Sequence, residues 1–151
     1  MDGSTAGSGA KALPRAMTAF EGRWSVAREI LQASGQRGHF EGEATLGPIG
    51  PGRLAYREEG TLRLDGGTPF FATRSYIWRD AKGAVEVSFD DGRPFHSFPL
   101  ACPTHETVHL CPPDRYQVAY DFSQWPVWET EWQVEGPRKA YRMRTVFRRP
   151  E

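Results

Sequence analysis

Cysteine is scarce: Cys102 and Cys111 are the only two in 151 residues. Two thiols do not make a disulfide scaffold, so the fold must rest on packing and backbone pairing. Long apolar runs are missing as well. No stretch approaches the roughly 20 residues of a membrane helix. Residues 1–18 lack the apolar centre of a secretory leader, so the cytoplasm is the expected compartment and no membrane partner is expected. Neither charge sign dominates. With 19 basic and 19 acidic side chains the net charge is zero, which implies no broad basic face and no nucleic-acid partner. There is no Gly-rich phosphate loop, nucleophile elbow or serine triad. Helical periodicity is also lacking, apart from a short turn expected before Phe20 or over residues 123–127.

Aromatic residues, by contrast, are plentiful, with five tryptophans among them. So many large rings in a small chain either fill a wide core or line a cavity. They sit on alternating stretches. Trp24, Val26, Arg28 and Ile30 share one face, and Arg23, Ser25, Ala27 and Glu29 the other. The same period-2 pattern recurs in Phe40, Ala44 and Leu46, in Leu54, Tyr56 and Glu58, and in Ala72, Arg74, Tyr76 and Trp78. It returns in Val85, Val87 and Phe89, in Tyr116, Val118 and Tyr120, and in Trp128, Thr130, Trp132 and Val134. Gly- and Pro-containing turns separate these stretches, and residues 47–52 read as a strong strand breaker. The fold class is therefore all-β: an antiparallel up-and-down barrel of about nine or ten strands, with a two-sheet sandwich as the alternative. Residues 1–18, rich in Gly, Ser and Ala, read as a disordered tail, and residues 19–151 as one barrel domain. The first strand and the arginine-rich last one are expected to meet and close it.

The Phe20-x-Gly22-x-Trp24 opening resembles the calycins, the superfamily of lipocalins and fatty-acid-binding proteins. That resemblance implies a calycin-like barrel with Trp24 at its closed end, packed under an arginine of the last strand, Arg144 or Arg148. A longer pattern runs through Tyr56-x-Glu58-x-Gly60, Arg74-x-Tyr76-x-Trp78, Phe89 to His96, and Gly136 to Tyr141. Together these resemble an uncharacterised bacterial domain family of unknown function, over nearly all of residues 20–149. The resemblance implies the fold and brings no activity.

Function must come from the residues. Arg28, Glu58 and Arg74 lie on faces that otherwise read as interior, and a buried charge is costly unless paired. They imply an internal ion-pair network or a polar pocket. The expected function is a small-molecule-binding barrel for an amphipathic, anionic or carbonyl-bearing ligand. Arg28, Arg74 and Tyr76 would hold its polar end, and Trp78, Phe89, Phe98 and Trp132 would wall its body. His109, Tyr116, Tyr120 and Tyr141 add donors to the same set. One alternative is an enzyme of cyclase, isomerase or decarboxylase type, with His96 and Glu58 as acid and base. A protein-interaction module without a cavity is the other. Cys102, His105, His109 and Cys111 have the residue types of a zinc site without its spacing, and His96 or His109 would be the axial residue for haem. The expectation is no cofactor and no metal, with haem and zinc as the exceptions, in a monomer or homodimer.

Overall fold

The structure is a computed structural model that describes residues 12–151. A 3-10 turn, Met17–Phe20, leads into ten strands. These are β1 (Gly22–Gln32), β2 (Arg37–Gly50), β3 (Arg53–Leu64), β4 (Phe70–Asp80) and β5 (Ala84–Phe89), then β6 (Pro94–Pro99), β7 (Thr104–Cys111), β8 (Asp114–Asp121), β9 (Trp128–Glu135) and β10 (Ala140–Arg148). All pairings are antiparallel, and the sheet order is β6-β5-β4-β3-β2-β1-β10-β9-β8-β7. Every chain neighbour is thus a sheet neighbour except β6 and β7, and β1 pairs with β10 from Ser25↔Arg148 to Gln32↔Tyr141. The sheet coils until β6 and β7 lie side by side, giving a barrel that is nearly closed with a single seam. Closure hides the strand edges that an open meander would present to other chains.

Alternation positions everything inside. Trp24, Val26 and Arg28 are buried while their neighbours in β1 face water, and the same holds for Leu54, Tyr56 and Glu58 in β3. Gly42 and Gly60 face each other across β2 and β3. A Cβ on Gly42 would sit 2.2 Å from the Glu59 carbonyl oxygen, and one on Gly60 2.3 Å from that of Glu41. Only hydrogen allows the two backbones this approach. The ladder runs on without a bulge through Gly60.

The aromatic core fills one end. Phe20 meets Trp78, Phe98, Phe122, Trp125 and Trp128 edge-on, with ring centroids 4.8–6.1 Å apart. The Trp24 indole donates to the Phe20 carbonyl at 2.9 Å. Its arginine cover is Arg149, with the guanidinium 3.8 Å from the indole. Arg149 also donates to the carbonyls of Arg23 and Ala19. Arg144 and Arg148, the residues expected there, face outward, because β10 turns Met143, Thr145 and Phe147 inward. Arg149 continues that inward parity just past the strand.

Two further expectations are corrected. Residues 47–50 belong to β2: Gly47 pairs with Ala55 and Pro48 with Leu54. Beyond Leu46, β2 has no β1 residue beside it, so a proline that cannot donate is tolerated there. Residues 12–18 do not form a tail. Met17 is 3% exposed, and the Pro14 carbonyl accepts from the Ala101 amide at 2.8 Å. The remainder of the expected tail, residues 1–11, lies outside the described residues.

Candidate functional site

The middle of the barrel carries the polar groups. Arg28 from β1 donates to both oxygens of Glu58 from β3, at 2.6 and 2.8 Å, and through Nε to Thr145 Oγ1 of β10 at 2.8 Å. Tyr56 donates its hydroxyl to Glu58 Oε1 at 2.6 Å. Burial by itself would raise the Glu58 carboxyl, but the paired bonds and charge of Arg28, with the Tyr56 hydroxyl, hold it below the ordinary carboxylate range. The same pairing overcomes burial at Arg28 and raises it. This unit is neutral as a whole and fully bonded.

Arg74 differs. It stands directly across from Glu58 in the β3–β4 register. Yet among the described residues it forms no salt bridge. Its contacts are soft: the Tyr76 hydroxyl at 3.4 Å, the Met143 sulfur at 3.6 Å, and the Trp132 ring 5.3 Å from the guanidinium carbon. Burial pushes the Tyr76 hydroxyl upward, so it stays protonated.

Two spaces meet at Arg74. An inner cavity of about 40 Å³ is lined by Arg74, Tyr76, Trp78, His96, Tyr120 and Trp128, among others. A chamber of about 210 Å³ lies beside it, bounded by Ile30, Phe40, Leu62, Ala72 and Arg74, with Arg28 and Glu58 between the two. The larger depression on the molecule, about 640 Å³, is an open groove on the outer face of β7 to β10. Its carboxylates face water and Glu129 is already paired with Arg144, so it is a solvated surface rather than a site.

His96 faces the cavity by ordinary alternation with Phe98, and Phe95 joins it through a register shift. Val87 pairs with His96 and Ser88 with Pro94, which leaves Phe95 as an extra residue in β6. The bulge turns neighbouring side chains to the same side, so Phe95 is buried and His96 lines the cavity as well. His96 Nε2 lies 2.6 Å from the Tyr120 hydroxyl. Burial, followed by the nearby His109 and His105, pushes the His96 imidazole down to about 3.

Of the residues expected from sequence, Arg28, Glu58, Arg74, Tyr76, Trp78, His96, Tyr120 and Trp132 all line the inner cavity. Phe89, His109 and Tyr116 form a layer outside it: Phe89 stacks on Phe95 at 4.7 Å, and Tyr116 meets Trp132 at 6.3 Å. Tyr141, half-buried near the start of β10, does not line the cavity. Phe98 belongs instead to the closed-end core, against Phe20, Tyr120 and Phe122. Sequence reasoning left out Tyr56, Thr145 and Trp128, although each shares the inward parity of its strand. Phe95 was not legible, since only the bulge turns it in. Among the described residues, no three His, Cys, Asp or Glu side chains gather as a metal site, and no helix is long and apolar enough to cross a membrane.

The sequence model of a family described as "Family of unknown function (DUF6314)" matches residues 20–149. No curated protein matches the chain. Among solved structures, the chain is similar to the S-type phycobiliprotein lyase CPES from Guillardia theta. The TM-score is 0.56 at 8% identity, over 87% of this chain and 88% of that one. It is also similar to a redesigned β barrel, mFAP1, bound to DFHBI, at TM-score 0.46 and 14% identity, over 89% of this chain and 99% of that one. At these identities the likeness to the lyase is one of fold.

Proposed function

The chain belongs to the family of unknown function DUF6314, and from that premise we propose, on its own residues, that it is a binding barrel for a small amphipathic ligand whose anionic or carbonyl end sits on Arg74. The observation that carries this reading is the contrast at mid-barrel. Glu58 neutralises Arg28, whereas Arg74 has aromatic and sulfur neighbours and no carboxylate within salt-bridge distance among the described residues. An inward arginine in such surroundings gains most from an anion or a carbonyl oxygen, because its hydrogen-bond fork is unmatched there. The chamber of about 210 Å³ beside it, with Ile30, Phe40, Leu62 and Ala72 on its walls, suits a short apolar body. Tyr76 adds a hydroxyl donor at the head.

Binding is favoured over acid–base chemistry by the state of the two candidate catalysts. Both Glu58 oxygens are occupied by Arg28, with Tyr56 as a further donor, so the carboxylate has little capacity left to take a proton. His96 at about 3 is neutral at physiological pH and is a weak base. An interaction module is disfavoured because Trp24, Trp78 and Trp128 are buried and Trp125 and Trp132 are half-buried, leaving no exposed tryptophan patch.

The test is a tryptophan-fluorescence titration of the wild type and Arg74→Gln with straight-chain carboxylates from acetate to octanoate. Saturable binding of at least one member is expected, weakened about tenfold or more by the substitution. If no member binds the wild type saturably, or Arg74→Gln binds as well, the reading fails.

A further inference from the structure

Two buried polar atoms have no protein partner among the described residues: Trp128 Nε1 and His96 Nδ1. Both side chains line the inner cavity, and Trp128 is 1% exposed. Native interiors seldom leave such groups unmatched. Trp128 can only donate. The polarity of His96 follows from Tyr120, whose buried hydroxyl has His96 Nε2 as its partner at 2.6 Å. If Nε2 donated, the phenolic proton would be stranded inside the protein. Tyr120 therefore donates, and the single proton of the neutral imidazole goes to Nδ1. Tyr76 accepts from Arg74 and keeps its own proton to give. The oxygens of Glu58, which would have been the natural acceptors, are already taken.

We infer that the inner cavity is an acceptor-binding subsite, in which the N–H groups of Trp128 and His96 receive an uncharged oxygen of the ligand. The inference rests on the reading that Arg74 holds an anionic head, and it narrows the ligand to an acid with a second oxygen acceptor further along its chain, such as an oxo acid. The second oxygen is uncharged because the cations lining the cavity, Arg28 and Arg74, are matched to Glu58 and to the head. It is also small, since about 40 Å³ admits roughly one water-sized group.

Three probes test this: pentanoate, 4-oxopentanoate, which differs by a ketone, and acetone, which has the ketone and no charge. Affinities are measured by titration. Nitrogen NMR follows the Trp128 indole N–H and locates the proton on the His96 ring. The expected results are about tenfold tighter binding of 4-oxopentanoate than of pentanoate, loss of that ratio in Trp128→Phe, and a ring proton on Nδ1. Acetone should shift the Trp128 N–H signal in the wild type. Equal affinity for the two acids, an indole signal that acetone leaves unmoved (a cavity holding solvent only), or a ring proton on Nε2 each overturns the subsite. If neither acid binds while acetone still moves the indole signal and the proton is on Nδ1, the anion site at Arg74 fails and the acceptor subsite stands.

Discussion

The barrel contains two inward arginines and two fully buried indoles, and in each pair one member is satisfied and the other is not. Arg28 is clasped by Glu58 and Thr145, whereas Arg74 rests on a ring and a sulfur. Trp24 donates to the Phe20 carbonyl, whereas Trp128 donates to no protein atom among the described residues. The satisfied members tie the barrel together: Trp24 fastens the closed end, and Arg28 links β1, β3 and β10. Arg74 and Trp128 line the inner cavity, which Arg28 also borders with its bonds already made. Polar groups whose partners come from the chain serve the fold, while the proposed ligand site is built on those that the chain leaves less well matched.

The largest expected effect comes from breaking a satisfied unit. Glu58→Ala leaves Arg28 buried and uncompensated, and urea unfolding should show a loss of about 3–5 kcal/mol. A double replacement, Arg28→Met with Glu58→Leu, should recover most of it, since the cost lies in the stranded charge. If the single variant is as stable as the wild type, the distinction between the two arginines collapses. The same unit predicts an acid limit. Glu58 has a folded-state pKa below its unfolded one, so its stabilisation is complete above the ordinary carboxylate range and is lost as pH falls through the lower folded value. Urea midpoints measured from neutral pH downward should show this fall, and Glu58→Gln should flatten it.

Arg74→Gln should behave in the opposite way. It should cost carboxylate affinity about tenfold or more and leave the unfolding midpoint unchanged or slightly raised, because it removes an inward charge that has no salt bridge among the described residues and only long contacts to Tyr76 and Met143. A large loss of stability would place Arg74 with Arg28 as a structural group. The indoles sharpen the contrast further. Trp24→Phe and Trp128→Phe remove similar volumes from buried positions, but only the first strands a carbonyl. Trp24→Phe should be the more damaging by about 1 kcal/mol in denaturant unfolding, and equal losses would mean that the Phe20 contact contributes nothing.

The smallest effect belongs to the exposed outer face. His39 pairs with Glu29 across β1 and β2, and that bond raises its imidazole. A raised folded pKa gives stability that is present below the unfolded value and is lost as pH rises through the folded one. The pair is solvated, so the gain is a few tenths of a kcal/mol at most. His39→Gln should move the unfolding midpoint slightly at mildly acidic pH and leave it unmoved at alkaline pH.

Much of this was legible from alternation. The pattern placed Arg28, Glu58, Arg74 and Tyr76 inside because in a strand every second residue faces the same way, and a mistaken parity in β4 would have thrown out Arg74 and Tyr76 together. Thr145 and Arg149 obey the same rule in and just past β10 and were open to it. Their role was hidden because parity shows which way a side chain points, not what it meets. Phe95 lay beyond that rule altogether. Its inward turn depends on one extra residue in β6 relative to β5, a mismatch that neither strand reveals alone. The strand through residues 47–50 was missed for a similar reason: Gly and Pro read as breakers until the sheet shows that this part of β2 has lost its neighbour on one side.

By itself the sequence determined an all-β chain of short-turn neighbours, with most of its aromatic rings and three of its charged side chains facing inward, because local periodicity and turn chemistry act over a few residues. Only the tertiary structure decided which charge is cancelled. Arg28 and Arg74 are both arginines on an inward face near Glu58; register places Glu58 directly across from Arg74, yet its oxygens turn across the interior to Arg28 and are held there. Such a choice is made by distances between strands far apart in the chain, and the closing of the barrel sets those distances.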